Sequence, residues 1–157
     1  MSKHHEKLTP MSLNPQNRCF ACGPANPGGL QMDIFLTEDR TVVITPVLPP
    51  AYDGHPGYVH GGIIATMLDE AMSKSVRARG CPASMTRHME IDYLRPVPSS
   101  APLRIEGRVT HHEGRKHWSE AKILNANGTV LAQSKGLFVQ ISPERLKSQA
   151  VTKPPTS

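Results

Sequence analysis

Long apolar runs are missing from this chain. No stretch approaches the ~20 consecutive apolar residues of a membrane-spanning helix, so no membrane partner is expected. Aromatic residues are scarce: three Phe, three Tyr and one Trp among 157 residues offer little from which to build a base-stacking platform. Lys and Arg outnumber Asp and Glu by 18 to 13, a formal net charge of +5, yet the basic residues are scattered. No run of them makes a nucleic-acid-binding patch. Cysteine occurs only three times. An odd count, with no apolar leader in residues 1–16, argues against the disulfide framework of a secreted domain and leaves a cytoplasmic setting as the expectation. Cys19 and Cys22 form a lone CxxC. Structural zinc takes four ligands, and no second CxxC or CxxH follows. A redox pair would follow a strand at a helix start, whereas this one lies in a Pro/Gly-rich loop. The pair reads as loop packing, with no metal and no cofactor expected. Cys81, just before Pro82, reads as an ordinary buried or connecting residue.

What the chain does have is one strong helix signal, and its start is unusual. Two adjacent glycines, Gly61 and Gly62, follow His60 and lead into the segment from Ile63 to Met72. Glycine costs roughly 1 kcal/mol against alanine inside a helix, so its use here suggests close approach of the backbone to something. The first amides of a helix lack intrahelical partners and, with the aligned peptide dipoles, favour negative charge. Facing a carbonyl oxygen, they would make an oxyanion hole. Ile64, Met67, Leu68 and Ala71 share one apolar stripe that must be buried. Asp69 falls on a second stripe with Gly62, Ala65, Met72 and Val76, where it has no charged partner on its own helix. Glu70 lies near Thr66, Lys74 and Arg77 and reads as a solvated charge paired at i, i+4. Asp69 is therefore the candidate functional acid. The competing account is a structural ion pair with Arg87 or His88 on a later strand.

The length suits one domain with its own core, with boundaries at 18–141. Residues 1–17 and 142–157 are polar and Pro-, His- or Lys-rich, and read as disordered tails. Strand patterns cover 31–36, 41–45, 86–95, 103–111, 117–124 and 130–141. The stretch 46–58 holds four prolines and two glycines and reads as a loop. Gly80 stops the helix, with Arg77 and Arg79 in its last turn. Asn127-Gly128 signals a type I′ hairpin. On the third strand, Met85, Met89, Ile91 and Tyr93 alternate with Thr86, His88, Glu90 and Asp92. The polar set is either solvent-exposed or lines a site shared with a second subunit.

Three segments carry a family resemblance. The stretch from Gly57 to Glu70 (GYVHGGIIATMLDE) resembles the central helix of hotdog-fold acyl-CoA thioesterases of the phenylacetate-pathway (PaaI) type, in the 4-hydroxybenzoyl-CoA thioesterase superfamily. The stretch from Thr86 to Pro98 (TRHMEIDYLRPVP) is similar to the strand after that helix. The segment from Cys19 to Leu30 (CFACGPANPGGL) is similar to the N-terminal signature of one branch. The resemblance implies an α+β hotdog fold, an antiparallel sheet of about six strands wrapped around one long central helix. It also implies thioester hydrolysis to a carboxylic acid and free coenzyme A. In it the amides of Gly61 and Gly62 polarise the carbonyl, Asp69 is general base or nucleophile, and His60 orients the glycine turn. Thr86 then holds the acid or its water from across a subunit boundary. Many relatives carry Asn or Gln ahead of the turn, where this chain has the stretch from Asp53 to Gly57, so His55 stands only as a candidate. Arg87 and His88 join it as candidate substrate-binding residues.

The resemblance further implies a homodimer, or a homotetramer built from two dimers, with the site at the dimer seam. The positive net charge is compatible with a polyanionic acyl-CoA partner rather than nucleic acid. Two other functions share these residue types. A hotdog dehydratase or hydratase would use a His and an acid on a 3-hydroxyacyl thioester, and a non-catalytic acyl-CoA-binding module would keep the glycines without needing the acid.

Overall fold

The computed structural model describes residues 6–149, so the outer parts of both expected tails, 1–5 and 150–157, lie outside the described residues. The elements follow in the order β1 (Thr9–Pro10), β2 (Phe35–Leu36), β3 (Val42–Ile44), a 3-10 turn (Pro50–Tyr52), β4 (Asp53–His55), β5 (Tyr58–Val59), α1 (Gly61–Ala78), β6 (Ser84–Tyr93), β7 (Arg104–Glu113), β8 (Lys116–Leu124), β9 (Val130–Gln140) and α2 (Pro143–Gln149). Seven strands make one antiparallel sheet in the order β1-β2-β3-β7-β8-β9-β6, wrapped around α1, while β4 and β5 form a separate ribbon. The architecture is the α+β hotdog arrangement, with seven strands where the sequence suggested about six. The additional strand, β1, is two residues long and pairs Thr9 with Leu36 and Pro10 with Phe35. No strand periodicity exists over two residues, so pairing rather than pattern defines it. Met11 and Leu13, also within 1–17, pack against the core, and Glu6 pairs with Arg104. Of the stretch 142–157, residues 143–149 form α2.

Helix α1 is held by its apolar stripe. Ile64, Met67, Leu68 and Ala71 are buried, and Met72, Ser75 and Val76 join them. The sheet reaches the helix closely at Gly107 of β7, where an added Cβ would lie 2.4 Å from the Ala71 carbonyl oxygen. Gly80 follows the helix with φ +93°, a conformation glycine adopts without steric cost. Arg40 donates to the Ala78 carbonyl at 2.6 Å, satisfying one orphan acceptor of the last turn.

Two local expectations change. The loop between β8 and β9 has positive φ only at Gly128, not at Asn127. A type I′ turn needs it at both central residues. Instead the Gly128 amide donates to the Asn125 carbonyl at 3.0 Å, and the Asn125 side chain accepts from the amides of Asn127 and Thr129. Asn125 thus organises a longer loop that ends on Gly128. The second change is a bulge in β6. Thr86 is opposite Phe138 and His88 is opposite Leu137, leaving Arg87 as the extra residue. A bulge inverts the alternation beyond it. Thr86 therefore faces α1 together with Met89, Ile91 and Tyr93, rather than facing away from them.

Candidate functional site

Two clusters line the junction of α1 with β6. At the start of the helix, His60 is the N-cap, and its Nδ1 accepts from the Gly62 amide at 2.9 Å. The amides of Ile63 and Ile64 donate to the His60 carbonyl. Among the described residues no acceptor is recorded for the Gly61 amide, so this is the donor left over for a ligand. The sequence offered both glycine amides; the cap leaves one. Tyr93 Oη donates to the Gly61 carbonyl at 3.0 Å and tethers the turn to β6. The sequence did not nominate Tyr93, although its Tyr-x-Arg-Pro context was visible. Gly54 packs against His60, where an added Cβ would lie 3.2 Å from the His60 Cα.

Two turns further along, Thr86 Oγ1 donates to Asp69 Oδ1 at 2.8 Å. Both residues belong to the same chain, which corrects the expectation that Thr86 serves a partner's aspartate. No cation pairs with Asp69 among the described residues: His88 pairs with Glu90 at 3.3 Å, and Arg87 is the exposed bulge residue. The structural ion-pair account therefore fails. Burial raises the Asp69 carboxyl above its ordinary value, the Thr86 hydroxyl pulls it partly back, and the charge of Glu70 pushes it up again. A half-buried carboxylate with no cation beside it and one oxygen held by a hydroxyl is suited to accept a proton.

The other candidates stand apart. His55 is exposed on the β4–β5 ribbon, and no hydrogen bond or ion pair links it to Asp69. Asp53 braces that ribbon by accepting from the Gly57 amide at 2.8 Å. Beyond the bulge, His88, Glu90 and Asp92 lie on the outer face of the sheet. Glu90 and Asp92 there line an open groove of about 590 Å³ with Glu106, Lys122 and Lys135. That groove is remote from Asp69, and its mixed charges mark a solvated strand surface.

Glu70 also differs from its expectation. It is buried rather than solvated, because the loop carrying Cys19 and Cys22 folds over it. Lys74 Nζ lies 3.3 Å from Glu70 Oε1, a charge contact without hydrogen-bond geometry, so that oxygen has no hydrogen-bond partner. Burial pushes Lys74 down, but Glu70 and Cys22 beside it more than offset this and hold the ammonium above its usual value. Cys22 is raised to about 12, first by burial and then by Glu70.

The family model described as the thioesterase superfamily matches residues 56–132, which run from the ribbon through α1 and β6 into β9. Over that stretch the chain is similar to the thioesterase superfamily. Among curated proteins it is similar to the acyl-coenzyme A thioesterase THEM4 of Xenopus laevis, 28% identical over 143 residues, covering 89% of this chain and 64% of the relative. The chain thus spans less than two thirds of that protein. The crystal structure of a thioesterase superfamily protein matches with a TM-score of 0.72 at 33% identity, over 78% of this chain and 60% of the other. A Bacillus halodurans protein solved with CoA matches with a TM-score of 0.64 at 27% identity, over 72% and 76% of the two chains.

Proposed function

We propose that this chain hydrolyses acyl-CoA thioesters, with Asp69 as the group that activates water or attacks the carbonyl. The observation that carries this is the pairing of a desolvated, cation-free Asp69 with a hydroxyl donor, on the same helix whose first amide is unclaimed. The name of the THEM4 relative and the CoA-bound structure support the substrate class. In the general-base form, Asp69 takes a proton from water as its oxygen bonds to the acyl carbon. The Gly61 amide stabilises the resulting oxyanion. Collapse breaks the C–S bond, and the coenzyme A thiolate leaves and is protonated. Thr86 occupies one carboxylate oxygen and so aims the other at the water.

One chain does not assemble this site alone. Asp69 lies eight positions beyond Gly61, about 12 Å of helix at 1.5 Å per residue, against about 3–3.5 Å between reacting atoms. Strand β6 ends the sheet, so among the described residues nothing pairs with its outer edge, which is open to a second copy. Met85, Tyr93 and Leu94, on or just beyond that strand, are about half exposed. Two-fold pairing of β6 edges reverses the strand, which carries one chain's Gly61–Tyr93 end toward the other's Asp69–Thr86 end. The proposed unit is a homodimer, with Asp69 and Thr86 from one protomer and Gly61 from its partner.

The dehydratase reading is less favoured, because His60 Nδ1 already accepts from the Gly62 amide as the helix cap, leaving only Nε2 for proton transfer. The test is release of free thiol from a panel of acyl-CoAs by wild type and Asp69→Asn. Turnover by wild type and its collapse in the variant are expected. CoA binding without turnover by wild type would leave a binding module instead.

A further inference from the structure

The thioester chemistry makes no use of the buried cluster beneath the N-terminal loop. There the Cys19 and Cys22 sulfurs and a Glu70 carboxylate oxygen all lie within 4.8 Å of one another. Cys19 Sγ is 3.8 Å from Glu70 Oε2. A tetrahedral zinc ion, with bonds of about 2.3 Å to sulfur and 2.0–2.2 Å to oxygen, sets its ligand atoms about 3.5–3.8 Å apart. The Cys19–Glu70 pair therefore stands close to the spacing such an ion imposes, with the Cys22 sulfur within 4.8 Å of both. The site is built rather than incidental. Cys22 is 2% exposed and the Glu70 side chain 7%, and among the described residues Glu70 Oε1 is a buried oxygen with no hydrogen-bond partner, only the Lys74 ammonium 3.3 Å away.

The loop holds the two sulfurs on the same side. The Gly23 amide donates to the Cys19 carbonyl at 2.8 Å, closing a turn so tight that a Cβ on Gly23 would lie 2.4 Å from the Cys19 nitrogen. Asn17 accepts from the Cys19 amide at 3.0 Å and directs its own side-chain amide at Cys22 Sγ, 3.6 Å away. An amide aimed at sulfur stabilises a thiolate more than a thiol. Lys74 is placed to balance charge: two thiolates, one carboxylate and one divalent ion leave a single negative charge, which the adjacent ammonium neutralises.

We infer that Cys19, Cys22 and Glu70 form a binding site for one zinc-like divalent ion, which fastens the N-terminal loop to α1. The CxxC supplies two soft ligands, and the helix supplies the third that sequence spacing could not reveal. Thiolate ligands select such ions over magnesium or calcium. On binding, the two S–H bonds break, two sulfur–metal bonds form and two protons go to solvent, with no change of oxidation state. Three protein ligands are one short of the closed four-ligand set of a structural zinc, so the fourth position is left to water.

The test uses the full chain, reduced, stripped with a chelator and titrated with Co²⁺, then with Zn²⁺ in competition with a chromophoric chelator. One equivalent of Co²⁺ per chain, with thiolate-to-cobalt charge-transfer absorption that Zn²⁺ abolishes, is expected. Cys22→Ser should weaken Zn²⁺ binding by more than about 100-fold, beyond the 10–100-fold typical of groups that merely support a ligand. A His4→Ala/His5→Ala variant should bind as wild type does. Absence of the charge-transfer band in the wild-type chain would overturn the proposal without reference to any variant. Equal binding by Cys22→Ser, or loss of binding in the histidine variant, would overturn it as well.

Discussion

Thr86 Oγ1 reaches Asp69 Oδ1 at 2.8 Å because β6 bulges at Arg87. Without the extra residue Thr86 would share the outer face with His88, Glu90 and Asp92, and the helix carboxylate would have no hydroxyl donor. The bulge therefore creates the one side-chain hydrogen bond that the candidate base makes among the described residues.

That contact sets a pH signature. The Thr86 hydroxyl lowers the Asp69 pKa against a larger upward push from burial. Removing it in Thr86→Ala should move the acidic limb of the kcat profile to higher pH and reduce kcat, while Thr86→Ser should restore both. An unchanged limb would mean that another group titrates in that profile.

Asp69 should also be a stability liability at neutral pH. Its folded pKa lies above the ordinary 3.8, so its contribution to folding is fully present below that value and is lost as pH rises through the folded pKa. Asp69→Asn, nearly isosteric, should keep or raise Tm near pH 7 while lowering kcat by about 10²–10⁴-fold. A Tm that falls together with kcat would contradict the cation-free description of this carboxylate.

Glu70 behaves in the opposite way. It and Lys74 form a buried pair, 7% and 14% exposed, and breaking a buried pair from one side typically costs about 3–5 kcal/mol. Metal-free Lys74→Met should accordingly lose stability of that order in denaturant titration, with kcat little changed. A loss of a few tenths of a kcal/mol would return Glu70 to the solvated surface.

Gly61→Pro isolates the helix-start amide. Proline is well tolerated at the first helical position, and His60, at ψ 138°, already has the extended backbone that a residue before proline prefers. The variant should fold with wild-type helix content and yet lose activity by about 10²–10³-fold, the usual effect of deleting an oxyanion donor. Full activity would assign the oxyanion to some other group.

The sequence showed the scaffold better than the seam. The 3.6-residue spacing of Ile64, Met67, Leu68 and Ala71 and the four long strand patterns carried the helix and the sheet, because burial imposes those periods directly, and set Asp69 off the buried stripe as the candidate acid. The bulge was invisible, since nothing in Thr86-Arg87-His88 distinguishes an extra residue from a regular one. It displaced Thr86, and with it the place of the proposed subunit boundary. Glu70 was misplaced because helical spacing describes neighbours along one helix, and the cover over Glu70 comes from Cys19 and Cys22, some fifty residues earlier in the chain. The remaining Gly61 donor became distinct only once the His60 side chain was seen to consume the Gly62 amide.

The division of the site between two protomers is tested most directly by mixing inactive variants. Gly61→Pro and Asp69→Asn chains, co-refolded in equal amounts, give a heterodimer with one seam carrying both lesions and one carrying neither. About a quarter of wild-type activity should return, since half the dimers are mixed and each holds one intact site. Thr86→Ala mixed with Asp69→Asn should recover nothing, because each seam of that heterodimer keeps one lesion. Recovery in the second mixture but not the first would contradict the account and put Thr86, rather than Gly61, across the boundary.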